Sequence, residues 1–457
     1  MCPADNNEVD EEFKGLVLKM PNGLDPEWIH DAPPRDIDES EGTIMENLLK
    51  DEKWDEFLDH LISDVDDPDE MMVTESFIRK REYRSMVEKI VDGTYEFPIP
   101  TRVEIPKPGT NKTRKIYTFK SSKNVAEHTV IRMMAWQLNR YSYLFAPNLY
   151  SCSDNDGVRG AINSIIKFLG DGDKYCYKAD LSDFFNSIDI SLLFDELYAH
   201  IDKRDHGVIK VLEKILKNPT VRVVRLSDVS AKPTYEEDNY KGVMAGMPFA
   251  SFLSNYFLRN LDWLLFLNRV PFFRYADDMM VVAETSERLD EIKDFIQGYV
   301  DEKKLILNPN KVSIYQPGEE FIFLGIRFDH GRTMLSEASI KKHKARIKTM
   351  ARKYRKRYED GKVTRETAMA LMIRAVNSFH YGSDVMPYCF TKMYFPLITS
   401  SENLGIIDNY VQECIRYVYI GKFKHSNRGK LKYYRLKMLG YLPLVSAYRI
   451  YRDLWKH

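Results

Sequence analysis

Pro271-Phe272-Phe273-Arg274-Tyr275-Ala276-Asp277-Asp278-Met279-Met280-Val281-Val282 sets two apolar runs on either side of a tight polar turn, which reads as a β-hairpin. Two adjacent aspartates at its tip concentrate negative charge between apolar flanks, at a cost unless a metal ion binds. An Asp-Asp pair in a turn is common by itself, so a second segment is needed. Tyr175-Cys176-Tyr177-Lys178-Ala179-Asp180-Leu181-Ser182-Asp183-Phe184-Phe185 is a strand that ends on an aspartate and passes into two aromatics. One acid leaving a strand and two on an adjacent hairpin suit two magnesium ions roughly 4 Å apart, one activating a hydroxyl and the other stabilising pyrophosphate. The chemistry implied is in-line nucleotidyl transfer. Around these segments, short strands alternate with long helical stretches at 191–217 and 250–268, the texture of an α+β fold.

Further out, charge divides the chain. Residues 1 to 70 hold 5 Lys or Arg against 23 Asp or Glu, residues 71 to 330 hold 36 of each, and residues 331 to 457 hold 26 against 9, within a formal net charge of −1. An acidic head before a basic tail points to a nucleic-acid-binding carboxy-terminal region, with the head solvating or shielding it. A solvated charged surface at each end is the plainer account. After residue 335, Ile340, Ile347, Met350, Ala351 and Tyr354 share one helical face, and ten Lys or Arg crowd the others between Lys341 and Arg357. Lys341, Lys342, Lys344, Arg346, Lys348, Arg352 and Lys353 are the candidates for gripping phosphates.

The 457 residues, 44% hydrophobic and 12% aromatic, can bury one large core or two to three ordinary ones, which excludes a disordered or fibrous protein. No run approaches the roughly 20 apolar residues of a membrane helix, and Asp5, Glu8, Asp10, Glu11 and Glu12 stand where a signal peptide would be basic and then apolar. The expected location is the cytoplasm, away from membranes. Cys2, Cys152, Cys176, Cys389 and Cys414 follow neither disulfide nor zinc spacing and read as ordinary buried thiols. Prolines and glycines over 21–42 mark irregular chain, Ile44 to Leu61 repeats at helical spacing, and a further helix is expected near 74–91.

In this order the segments resemble the reverse transcriptase family over roughly residues 100 to 360, specifically the bacterial group II intron-like lineage. The resemblance implies a right-hand polymerase: an acidic tail and helical segment over 1–94, fingers over 95–170, a palm with the catalytic carboxylates over 171–330, and a basic helical thumb and extension over 331–457. Asp180 stands at the first catalytic position of the palm and Tyr275-Ala276-Asp277-Asp278 at the Tyr-x-Asp-Asp hairpin. Asp180 and Asp277 are thereby the principal ligands of two Mg2+ ions, with Mn2+ able to substitute, and Asp278 ranges from ligand to electrostatic support. Arg102 to Lys107 and Lys112 to Lys115 look like the fingers hairpin that grips the triphosphate, with Lys107 and Arg114 as candidates. Leu307-Asn308-Pro309-Asn310-Lys311 resembles the palm block whose lysine protonates pyrophosphate, and Phe321 to Gly325 resembles the primer grip.

Phe185 stands five positions after Asp180, where the family places an aromatic over the sugar C2′ that excludes a 2′-hydroxyl. The bland reading is core packing, which suits Phe184. Gly242 to Asn255 aligns with a nucleotide-side block in which Gly246 and Asn255 fit, but Met244 replaces a proline and Ala245 a glutamine. The glutamine amide can contact the nucleotide sugar, so its loss should alter fidelity, processivity or template dependence.

A zinc-type endonuclease cluster, a ribonuclease H block and the Val-Thr-Gly of retron thumbs are not recognisable, and the chain looks most like defence-associated reverse transcriptases of the unknown-group and abortive-infection kind. The expectation is an RNA-directed DNA polymerase, a nucleotidyltransferase that copies a noncoding RNA from dNTPs into a DNA product in antiviral defence, as a homo-oligomer or with an accessory protein. The alternatives are a retron-like, diversity-generating or domesticated intron enzyme, or a non-catalytic palm kept as an RNA-binding scaffold. Intact Asp180, Asp277 and Asp278 argue against the scaffold. Tyr275 and Phe185 argue against an RNA-dependent RNA polymerase, which would carry Gly-Asp-Asp and a small residue at the sugar.

Overall fold

The computed structural model describes residues 41–63, 68–106, 113–120, 125–151, 155–170, 172, 174–225, 233–238, 242–382, 389–423 and 431–454. They form two compact units, one of 41–62, 68–161 and 174–314, the other of 162–172 and 315–454. Both mix helix and strand, as an α+β fold requires.

The first unit opens with four helices, α1 (Ile44–Leu48), α2 (Asp51–Ser63), α3 (Pro68–Arg79) and α4 (Arg84–Val91). The Thr43 and Glu46 side chains start α1 as a reciprocal capping box, satisfying two otherwise orphaned N–H groups. The helix expected over 74–91 is two helices, because Arg81 takes a φ of +57° between them, a conformation no α-helix tolerates. Trp54 stacks on Tyr83 at 3.9 Å, and both belong to the same apolar core as Tyr177, Phe184, Leu253 and Val281. The amino-terminal helices are thus part of the structure that supports the carboxylates.

Helices α5 (Ala126–Leu138), α6 (Gly157–Leu169), α7 (Phe184–Ser187), α8 (Ile190–His200), α9 (His206–Lys217), α10 (Ala250–Phe257), α11 (Arg259–Leu267) and α12 (Ser286–Glu302) follow. The stretches 191–217 and 250–268 are each broken once. Asp202 accepts the Arg204 N–H at 2.9 Å to start a 3-10 turn ahead of α9, and Leu258 separates α10 from α11.

Two sheets hold the site. In the first, β1 (Thr101–Pro106) pairs antiparallel with β2 (Thr113–Thr118) and parallel with β4 (Thr220–Arg225), which pairs in turn with β5 (Thr234–Glu237). Buried Arg102 ties this sheet together through Glu104 at 2.9 Å, Glu236 at 2.7 Å and Asp238, which also accepts the Tyr117 hydroxyl at 2.8 Å. In the second, the order is β6 (Phe272–Tyr275), β7 (Asp278–Ala283), β3 (Tyr175–Asp180) and β8 (Ser313–Tyr315). Met279 to Ala283 of β7 are all buried, so this strand has both faces covered and reads as a continuous apolar run.

The second unit holds the sheet β9 (Phe321–Phe323), β10 (Ile326–Asp329) and β11 (Arg332–Leu335). Leu324 and Gly325, at φ +45° and +82°, form the two-residue turn between β9 and β10, the sign pattern of a type I′ hairpin. Among the described residues it also holds residues 162–169 of α6 and the helices α13 (Glu337–Glu359), α14 (Arg365–Tyr381), α15 (Phe390–Tyr394), α16 (Glu402–Ile420), α17 (Tyr433–Met438) and α18 (Leu444–Leu454). Ile340, His343, Ile347 and Ala351 form the inward stripe of α13, which packs on α14 and α16, while Met350 and Tyr354 are half-buried at its margin. Cys176, Cys389 and Cys414 are buried free thiols; Cys2 and Cys152 lie outside the described residues. No helix among the described residues is long and apolar enough to cross a membrane.

Candidate active site

Strand pairing brings the three aspartates together. Asp180, the last residue of β3, sits opposite Asp278, the first of β7, and Asp277 occupies the two-residue turn between β6 and β7. Ala276, its partner in that turn, takes a φ of +54°, which costs an L-residue roughly 1–2 kcal/mol. Ligand oxygens of Asp180, Asp277 and Asp278 all lie within 4.8 Å of one another. Burial pushes the Asp277 carboxyl above its ordinary pKa, and the Asp180 charge adds to the shift. Asp278 is pushed up likewise, by burial and then by Asp277. Each ion disfavours the other, and burial with this repulsion outweighs the nearby cations.

One cation reaches the cluster directly. The Lys311 Nζ donates to Asp180 Oδ2 at 2.6 Å, and burial, which by itself would lower its pKa, is outweighed by the bond to Asp180 and the aspartate charges, so the ammonium is held above its usual value. The strand-like stretch ahead of Lys311 is fixed to the end of β3 by backbone: Ser182 N–H donates to the Ile306 carbonyl at 2.8 Å and Asn308 N–H to the Asp180 carbonyl at 2.7 Å. An all-carboxylate donor set with one face covered by a lysine suits a hard divalent cation such as magnesium or manganese rather than a thiolate-seeking metal. The residues present fit that group.

Of the candidates for nucleotide contact, Arg114 is exposed on β2 and its charge reaches Asp277. Lys107 lies outside the described residues. Phe185 is half-buried and packs against the apolar core, edge-on to buried Phe184 with ring centroids 5.7 Å apart. The loop from Gly242 to Gly246 bridges α7 and β2. Val243 N–H donates to the Phe185 carbonyl at 2.9 Å, and Tyr117 N–H donates to the Ala245 carbonyl at 2.7 Å. A Cβ on Gly242 would sit 2.0 Å from the Phe185 carbonyl oxygen, and one on Gly246 would sit 2.6 Å from Ile116. Gly246 therefore meets β2 through a close approach that only glycine allows.

On α13 the cations sort by direction. Lys341, Lys342, Arg346, Arg352, Lys353, Lys356 and Arg357 are exposed, while Lys344, Lys348 and Arg355 are half-buried. Lys344 lies over Tyr410 of α16 at 5.4 Å and Arg346 over Phe379 of α14 at 4.6 Å, so these two also stiffen the bundle. One residue that sequence reading passed over is Arg274, whose side chain is fully buried beside the turn that carries Asp277. An arginine inside an apolar strand was the available signal, since that residue type is almost never buried without partners.

Residues 105–328 match the model of the family described as reverse transcriptase (RNA-dependent DNA polymerase), a stretch that includes all three aspartates. No curated protein matches the sequence. Solved structures similar to the chain include apo telomerase from Candida tropicalis truncated from its C-terminal domain, at 12% identity and a TM-score of 0.39 over 52% of this chain and 55% of that one. Telomerase from Candida albicans in complex with a TWJ fragment of telomeric RNA is similar at 13% identity and 0.41, over 82% of this chain and 70% of that one. Apo telomerase from Candida tropicalis is similar at 12% and 0.39, over 79% and 73%. The chain thus spans 55% of the length of the first of these.

Proposed function

We propose that the chain is an RNA-directed DNA polymerase that holds two magnesium ions on Asp180, Asp277 and Asp278 and copies a noncoding RNA into DNA in bacterial defence against phage. The observation that carries the catalytic part is the convergence of three carboxylates within 4.8 Å inside the stretch that matches the reverse transcriptase family. Magnesium bound there supplies Lewis-acid activation of a primer 3′-hydroxyl and neutralises charge on the leaving pyrophosphate. The chain's own groups do the rest. Arg114 offers a guanidinium fork to the triphosphate oxygens. Lys311, with its side chain 56% exposed, is the proton donor to pyrophosphate. Phe185, pinned through its carbonyl by Val243, presents its ring to the sugar and excludes a 2′-hydroxyl. The exposed cations of α13 take the phosphates of template and primer.

The defence role rests on the resemblance to defence-associated enzymes and on the cation-rich carboxy-terminal helices, which suit a structured RNA partner. Its test pairs crosslinking and sequencing of RNA bound in cells with a phage challenge of cells carrying the intact locus or Asp277→Asn. One enriched RNA species and phage resistance lost with Asp277→Asn are expected; random RNA and equal sensitivity would remove the defence role. The catalytic test is magnesium-dependent dNTP incorporation on primed RNA. Parental rates from purified Asp180→Asn or Asp277→Asn would show that these carboxylates are not the ligands.

A further inference from the structure

Arg274 is spent entirely within the protein. Its Nε donates to Asp262 Oδ1 at 2.7 Å and one terminal nitrogen pairs with Asp262 Oδ2. That nitrogen also donates to the Asn255 carbonyl at 3.3 Å, and the other donates to Asn255 Oδ1 at 3.1 Å and to the Ala276 carbonyl at 3.0 Å. All five guanidinium N–H groups are thereby used, with both charged side chains 0% exposed. Asn255 belongs to α10 and Asp262 to α11, so a single side chain fastens two helices to the turn that carries Asp277.

The bond to Ala276 has the most direct chemical consequence. The Ala276 carbonyl and the Asp277 N–H share one planar peptide, and Ala276 sits at the strained φ of +54°. Without the Arg274 donor the Ala276 carbonyl loses its anchor, and the turn is free to shift the Asp277 carboxylate away from Asp180. We propose that Arg274 is a positioning residue: it locks the 276–277 peptide so that Asp277 stays in ligand geometry, and the Asp262 pair exists to aim it. This rests on the polymerase reading above, with Asp277 as a metal ligand.

The test uses the full chain with Arg274→Lys and with the paired Arg274→Met/Asp262→Leu, and reads thermal stability, Mn2+ affinity by electron paramagnetic resonance, and kcat and KM for dNTP incorporation. Lysine keeps a charge for Asp262 but has no planar fork to span it and Ala276 together. Apolar replacement of both members of a buried pair is often neutral for stability, yet it leaves the Ala276 carbonyl without its donor. Both variants are expected to stay folded, to bind Mn2+ about tenfold more weakly, and to lose kcat about a hundredfold with little change in KM, the scale of a small misplacement. Parental Mn2+ affinity and kcat in either folded variant would overturn the proposal, and unfolding of both would reduce Arg274 to a stability residue and overturn it too. Parental protein that binds Mn2+ but incorporates no dNTP would refute the polymerase reading alone, with Mn2+ affinity still deciding the role of Arg274.

Discussion

At the scale of single residues, the clustered carboxylates of Asp180, Asp277 and Asp278 destabilise the metal-free chain. Burial and mutual repulsion raise the Asp277 and Asp278 pKa values, so removing one charge should stabilise the fold while removing function. Asp277→Asn is expected to melt a few degrees higher than the parent in chelator, to show little of the parental Tm rise on adding Mg2+, and to lose at least about a thousandfold in incorporation rate. Differential scanning fluorimetry with and without Mg2+ measures the first two effects. A second prediction concerns Phe185. Because the Gly242 Cα faces the Phe185 carbonyl, Gly242→Ala should displace the ring without altering it, and so raise ribonucleotide use relative to deoxynucleotide use as Phe185→Ala does. Competition between rNTP and dNTP in single-nucleotide extension reads both; an unchanged ratio in folded Phe185→Ala returns that ring to core packing. The convergence of Asp180 with Asp277 and Asp278 was legible because they fall on short, strongly patterned segments, whereas Lys311 entered only through the family resemblance. Asn255, Asp262 and Arg274 were not legible as partners, since a buried ion pair leaves no periodicity in the chain.

At the scale of elements, α13 carries two predictions. Its outward cations should make nucleic-acid affinity fall steeply with salt, and Lys341, Lys342, Arg352 and Lys353 changed together to Gln should lower the log–log slope by roughly 0.7–0.9 for each phosphate that is no longer neutralised. Filter binding between about 50 and 200 mM salt measures this; an unchanged slope would show that the face is only solvated. Its inward face holds His343, whose Nε2 lies 3.0 Å from Nε2 of His380 on α14. Burial lowers the His343 pKa to about 4, with Arg346 adding repulsion, and burial and His343 lower that of His380 to about 3. Folded values below the unfolded 6.5 mean the unfolded chain binds more protons between them, so stability is full above about pH 6.5 and falls as pH drops toward 4. The loss at pH 5 is on the order of 2 kcal/mol per histidine, and replacing both with Leu should flatten this acid limb in thermal melts. The histidine pair escaped the periodicity reading because His343 looks like one more polar residue on a cationic helix. The breaks after α3, α8 and α10 escaped it because apolar spacing carries across a turn of a few residues.

At the scale of the whole molecule, the division into an acidic head and a basic tail was legible from composition alone, and so was the mixed helix and strand content. Which strands pair was not. Thr101 of β1 lies beside Arg222 of β4, about 120 residues away, and nothing in either segment names the other, because strand periodicity reports a buried face and not a neighbour. The same separation governs how the protein is made. Translation adds about 5–20 residues per second, so β1 and β2 wait on the order of ten seconds for β4, as a two-stranded hairpin that is marginal in water. Asp180 waits about 100 residues for Asp278. A nascent chain arrested before Asp278 holds Asp180 on a strand with no β7 beside it, so a truncated product cannot assemble the three-carboxylate cluster and, on the function proposed above, is inert rather than partly active.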